Sequence, residues 1–205
     1  MELFDNFLVN TELTLAQFGF QPDPGVLEVT PSTKVFYHYT HQDRLNSIFQ
    51  ENSGILARKK IHVRPEFEGY CVVESFLQPT PLWLTQSPHF GSLGLELKKQ
   101  AIGDIMLRAE VPHDYPDIRF YMSDFGFLME WHHFNRKGSF PLGLCLNHEY
   151  LKKEMVRAYI NSFIPLESYN GGHVAPVLNI LRKGEGIAIP NRFLSAIPLL
   201  TASHT

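Results

Sequence analysis

Apolar residues recur along this chain in short blocks, and their spacing switches between helical and extended rhythms. Leu3, Phe4, Phe7, Leu8, Leu13, Leu15 and Phe18 stand among polar residues with Gly19 as a stop, which predicts one or two short amphipathic helices. Gln21-Pro22-Asp23-Pro24-Gly25 is a turn. It separates a helical segment over residues 1–30 from a main domain over 31–205. In that domain residues 35–40 read as an aromatic strand, and 43–51 as a helix with apolar positions Leu45, Ile48 and Phe49, stopped near Gly54.

Further extended segments are predicted at 55–57, 61–63, 82–85, 104–111 and 118–122, each bounded by polar residues, Gly or Pro. Residues 124–134 are aromatic and partly helical in pattern, and Asn147 is placed to cap a short helix over 147–153. Residues 155–163 alternate as extended chain, 164–169 begin a turn, Gly171-Gly172 breaks the chain, and 175–182 fit a last helix ending at Gly184. Many short strands with few helices predict an α+β fold.

Composition narrows the picture. With 44% hydrophobic and 13% aromatic residues the chain has the means to bury a sizeable core. A net charge of −3 carries no global nucleic-acid signature, and the local run Arg58, Lys59, Lys60 and Arg64 reads first as a solvated face. Cys71 and Cys145 stand far apart and form no CxxC pair, so both are expected as free thiols. Acidic Glu2 and Asp5 occupy the start of the chain without a basic n-region, and no apolar run approaches about 18 residues. No membrane association is expected. The expected location is the cytoplasm, or a target cell reached through a dedicated secretion machine.

The chemistry concentrates in Phe36-Tyr37-His38-Tyr39-Thr40, followed by His41-Gln42-Asp43-Arg44-Leu45-Asn46-Ser47-Ile48. A strand ending on His and Thr beside the start of a helix is a common place for a ligand. Together with Gly54-Ile55, this pattern resembles the first motif of the ADP-ribosyltransferase superfamily, in particular its small bacterial toxin-like "HYT" members. The resemblance covers about twenty residues, with Tyr37, His38, Thr40, Leu45, Ser47, Ile48, Gly54 and Ile55 as the matching positions.

The resemblance implies two small, mostly antiparallel sheets forming an NAD cleft, flanked by helices. It implies NAD as substrate and a protein or nucleic-acid acceptor, in a toxin, effector or phage-defence enzyme with an antitoxin or immunity partner. His38 would hold the adenine-side ribose of NAD and stand with Glu154 as a catalytic residue, with Tyr39 and Thr40 adding contacts. Leu82-Trp83-Leu84-Thr85 resembles the strand that supplies the nicotinamide-stacking ring, giving Trp83 or Phe90 the ring and Thr85 or Ser87 the polar contact. Lys153-Glu154-Met155 followed by Ile164-Pro165 matches the acidic position, which makes Glu154 the catalytic acid that steadies positive charge as the glycosidic bond breaks. Glu110, Asp104, Asp124 and Glu130 compete for that role.

Arg44, Arg58 and Arg64 are candidates for the NAD pyrophosphate, because a guanidinium matches phosphate in bidentate fashion. Gly91-Ser92-Leu93-Gly94 is not a dinucleotide fingerprint, so a Rossmann unit is not expected. Two other classes of function compete. One is a catalytically silent module that binds a nucleotide or a protein partner. The other is a small metal-dependent hydrolase using His38, His41 and the His132-His133 pair, although no HExxH or Cys/His cluster is present and no metal is expected.

Overall fold

The computed structural model describes residues 32–61, 63–79, 103–125 and 156–198. The helical segment predicted over 1–30, the elements predicted at 82–85 and 147–153, and all but the first two residues of the segment predicted over 124–134 lie outside the described residues. Within them the fold is mixed α+β: strands in antiparallel sheets dominate, with few helices.

Among the described residues the strands form three sheets. In the first, β5 (Ile105–Pro112) lies between β1 (Thr33–Thr40) and β10 (Leu194–Pro198). The second pairs β2 (Gly54–Ala57) with β9 (Gly186–Pro190). The third has the order β3 (Lys59–Lys60), β4 (Tyr70–Ser75), β8 (Pro176–Lys183), β6 (Ile118–Asp124), β7 (Ile164–Pro165). A bridge from Tyr37 to Phe76 links the first sheet to the third, with both backbone hydrogen bonds at 2.8 Å.

The strands of the first and third sheets follow their sequences. β1 is aromatic and β-branched, and Val35, Phe36 and Tyr37 are all buried because both of its faces are covered. β8 carries six consecutive buried residues, Pro176-Val177-Leu178-Asn179-Ile180-Leu181. It is a central strand, and the prediction of a helix over 175–182 is corrected here. A short continuous apolar run fits a fully buried strand or a helix equally well. The opposite correction applies at 155–163, predicted extended: residues 156–161 are helical. Tyr159 and Phe163, four apart, meet there edge to face with ring centroids 5.3 Å apart. The helix predicted over 43–51 is shorter, a 3₁₀ turn at Gln42–Arg44 running into Leu45–Ile48. Of the extended segment predicted at 61–63, only the adjoining Lys59–Lys60 pairs as strand.

The main core lies where the sheets meet, around Phe36, Leu107, Met122, Leu178, Ile180 and Ile189. Burying each such side chain contributes about 1.5–3 kcal/mol. Phe36 meets Phe120 edge to face, with centroids 5.9 Å apart. A second cluster on the other face of the third sheet gathers Phe67, Val72, Phe163 and Leu181, and Tyr159 packs against it from the helix at 156–161.

Candidate functional site

Strand alternation puts Phe36, His38 and Thr40 on one face of β1, and Val35, Tyr37 and Tyr39 on the other. His38 is opposite Leu107 in β5 and half-buried. Its Nδ1 stands 2.9 Å from the carbonyl oxygen of Glu74. A carbonyl only accepts, so Nδ1 carries the proton. Burial lowers the His38 pKa below 6.5, against the opposing pull of that hydrogen bond and of the Glu74 charge. The ring is therefore neutral at pH 7 with one tautomer fixed, and Nε2 presents a lone pair.

The end of β1 is tightly built. Thr40 is buried, and its carbonyl accepts from the Asp104 N–H at 3.1 Å. Gly103 packs so closely that a Cβ would come within 2.2 Å of that same oxygen, and its φ is +108°. Asp104 Oδ1 accepts from the Gln42 N–H at 2.9 Å, which anchors the turn leading into the short helix. Arg44, on that turn, is exposed, and its guanidinium has no partner among the described residues.

On the opposite face, the Tyr39 ring packs edge to face on Phe76 at 5.5 Å, and its hydroxyl donates to the Pro79 carbonyl. Glu74 continues this side: it is exposed, ion-paired with Lys59 at 2.6 Å, and lies opposite Asn179 in the register of β4 and β8. Asn179 is buried, and its Nδ2 donates to Ser123 Oγ at 2.8 Å. Tyr159 also hydrogen-bonds the Ser123 side chain. Burial raises the Tyr159 pKa above 10.0, the Glu74 charge adds to the rise, and the Ser123 bond opposes it. Glu74 thus acts electrostatically on both His38 and Tyr159. None of Glu74, Lys59, Ser123, Asn179 and Tyr159 was expected as a site residue. The one available signal was an Asn inside the apolar run Val177-Leu178-Asn179-Ile180.

The competing acids divide clearly. Glu110 is exposed on the β5 face away from Leu107 and is ion-paired with Arg108. Asp124 is buried and accepts from the N–H groups of Val174 at 2.8 Å and Ala175 at 3.0 Å, so it serves as a backbone anchor. Glu154, Glu130, Trp83, Thr85, Ser87 and Phe90 lie outside the described residues, as do His132 and His133.

Of the three candidate arginines, Arg64 is committed to structure. Its Nε and Nη2 donate to the Ile160 carbonyl at 3.0 and 2.8 Å at the end of the helix at 156–161. Its guanidinium also lies over Phe67 and Phe163. Arg58 is exposed. Cys71 is a buried free thiol. Among the described residues no three His, Cys, Asp or Glu side chains gather where one metal ion is held, and no helix is long and apolar enough to cross a membrane.

No protein-family model, no curated protein and no solved structure matches the chain.

Proposed function

We propose that the chain is an NAD-dependent ADP-ribosyltransferase whose nucleotide site is organised around His38. The reading rests on the motif at residues 37–48 and on one observation above the rest. A neutral His38 with its proton fixed on Nδ1 offers Nε2 as an acceptor for a sugar hydroxyl. A protonated imidazole would present a donor instead and lose that match.

The chemistry asks little of the protein. The bond between nicotinamide and ribose breaks with its electron pair leaving on nicotinamide, and a nucleophile on the acceptor bonds to the exposed ribose carbon. The protein must hold the ribose, seat the ring and place negative charge beside the developing cation. In this reading His38 and Thr40 hold the sugar and Arg44 meets the pyrophosphate, while Tyr39, on the other face of β1, braces the strand through Phe76. Trp83 and Thr85 remain the expected contacts to the ring. Glu154 is the acid the motif implies, five residues before Tyr159 in the chain. Glu74 is the acid whose charge reaches His38 among the described residues. Its ion pair with Lys59 favours a second reading, in which the site binds a nucleotide without turning it over.

Labelled NAD, incubated with the purified chain and with cell lysate as a source of acceptors, tests the proposal. Label is expected on a protein or nucleic acid with the wild type and not with Glu154→Gln or His38→Ala. Loss in Glu74→Gln with full activity in Glu154→Gln would transfer the acidic role to Glu74. NAD binding without turnover in every form would leave the binding module as the function. No NAD binding at all would overturn both.

A further inference from the structure

An open cleft of about 610 Å³ lies away from His38, and its lining includes Glu51, Asn52, Tyr115, Ile187, Pro190 and Arg192. Its place follows from the register. Leu194 pairs with Ala109 and Thr33 with Pro112, so the turn at Asn191–Phe193 sits by the Pro112 end of β5. His38 pairs with Leu107, five residues further along that strand. At about 3.4 Å per residue the two sites are roughly 17 Å apart.

The cleft is rigidly framed. The Asn191 N–H donates to the Ser53 carbonyl at 2.9 Å, and Asn191 Nδ2 donates to the Gln50 carbonyl at 2.6 Å. These bonds fasten the turn after β9 to the loop before β2. Beneath them, a Cβ on Gly54 would stand 2.1 Å from the Ile189 carbonyl oxygen, so the two strands meet at backbone contact. Asn52 turns the rim with φ +55°, a conformation Asn tolerates.

The charged groups are ordered yet uncommitted. The Arg192 guanidinium lies 4.7 Å from the Phe193 ring centroid, and Phe193 is braced edge to face by Tyr115 at 5.3 Å. Arg192 has no carboxylate partner among the described residues, and neither does Glu51 a cation. A guanidinium already held on a ring loses less freedom on binding, and its fork matches a phosphate. Glu51 on the same rim disfavours a bare anion and asks for hydroxyl or amino donors. Tyr115, Ile187 and Pro190 supply flat apolar walls, and the volume lies within the range of small-molecule sites.

We propose that this cleft is a second ligand site, for a nucleoside monophosphate: phosphate on Arg192, sugar hydroxyls or a base amino group on Glu51, and the base against Tyr115. This goes beyond the reading built on His38 and does not depend on it. AMP, adenosine and inorganic phosphate, titrated separately by calorimetry and by amide chemical shifts, test it. AMP is expected to bind at least tenfold tighter than phosphate or adenosine, shifting the amides of Asn52, Ile187 and Arg192. Arg192→Gln, an exposed substitution, is expected to weaken AMP at least tenfold as read at the Asn52 and Ile187 amides, and His38→Ala does not remove the AMP shifts at those amides. Absence of AMP binding overturns the proposal. So does AMP binding that His38→Ala removes and Arg192→Gln spares, because the ligand then sits at the other site.

Discussion

Asp124→Asn removes one oxygen from a buried carboxylate and leaves the shape of the side chain intact. Asp124 is 4% exposed at the end of β6, and its two oxygens each accept one backbone N–H, Val174 on Oδ2 and Ala175 on Oδ1. In the amide, one N–H keeps an acceptor and the other faces an NH₂ donor. An orphaned buried donor costs about 1–3 kcal/mol, and losing charge assistance on the surviving bond adds about 1 kcal/mol. The expected destabilisation is therefore about 2–4 kcal/mol. For a chain of this size that lowers the melting temperature by about 5–15 °C. Urea unfolding followed by circular dichroism reads it as a lower midpoint at unchanged m. Asp124→Ala, which orphans both donors, should lose still more. A loss under about 0.5 kcal/mol in Asp124→Asn would refute the assignment of Asp124 as a backbone anchor and return it to the candidate catalytic acids.

Gly103→Ala forces a Cβ to within 2.2 Å of the Thr40 carbonyl at φ +108°, whereas Gly69 has φ +77° with nothing within 4 Å of its Cβ. We expect Gly103→Ala to cost at least about 2 kcal/mol more than Gly69→Ala, because both carry the backbone strain and only the first carries the collision; equal losses in urea titration would contradict this. His38 and His173 both have pKa values lowered from 6.5 chiefly by burial, with Asp124 opposing the shift at His173, whose ring also stacks on Tyr169 at 4.9 Å. The unfolded chain binds protons first, so stability is full above about pH 6.5 and falls as pH drops from there toward the folded values. His173→Gln should flatten the urea midpoint between pH 7 and 5, and an unchanged slope would show that His173 is not buried as neutral imidazole.

The legible parts of the fold are those whose local pattern has one interpretation. β1, β5 and β6 alternate or carry aromatic and β-branched residues between turn signals, and they formed close to where the sequence put them. β8 was misread because covering both faces of a strand erases its alternation. The helix at 156–161 was misread because Val156, Ala158 and Ile160 mimic a period of two, while the contact that decides the matter is Tyr159 on Phe163. His38 and Thr40 were legible as a pair because they end one strand. Glu74, Asn179, Ser123 and Tyr159 were not, since the registers that align the first three join distant positions, Glu74 with Asn179 and Ser123 with Val177, and Tyr159 comes from a helix. Nothing in the spacing along the chain encodes that meeting.

The same registers set the order in which the molecule is able to form. β1 pairs with β5, which also needs β10; β2 waits for β9; β4 and β6 have β8 between them. Each sheet is therefore closed by a strand from the last 30 residues of the described chain, after Gly172. On a ribosome moving at about 5–20 residues per second, the N-terminal strands emerge well before their partners. Over that interval β2, the β8-facing edge of β4 and the β10-facing edge of β5 have nothing to pair, the condition under which nascent chains join one another. High contact order makes the final closure slow as well. Expression yield should thus respond to temperature and chaperone supply more steeply than equilibrium stability does.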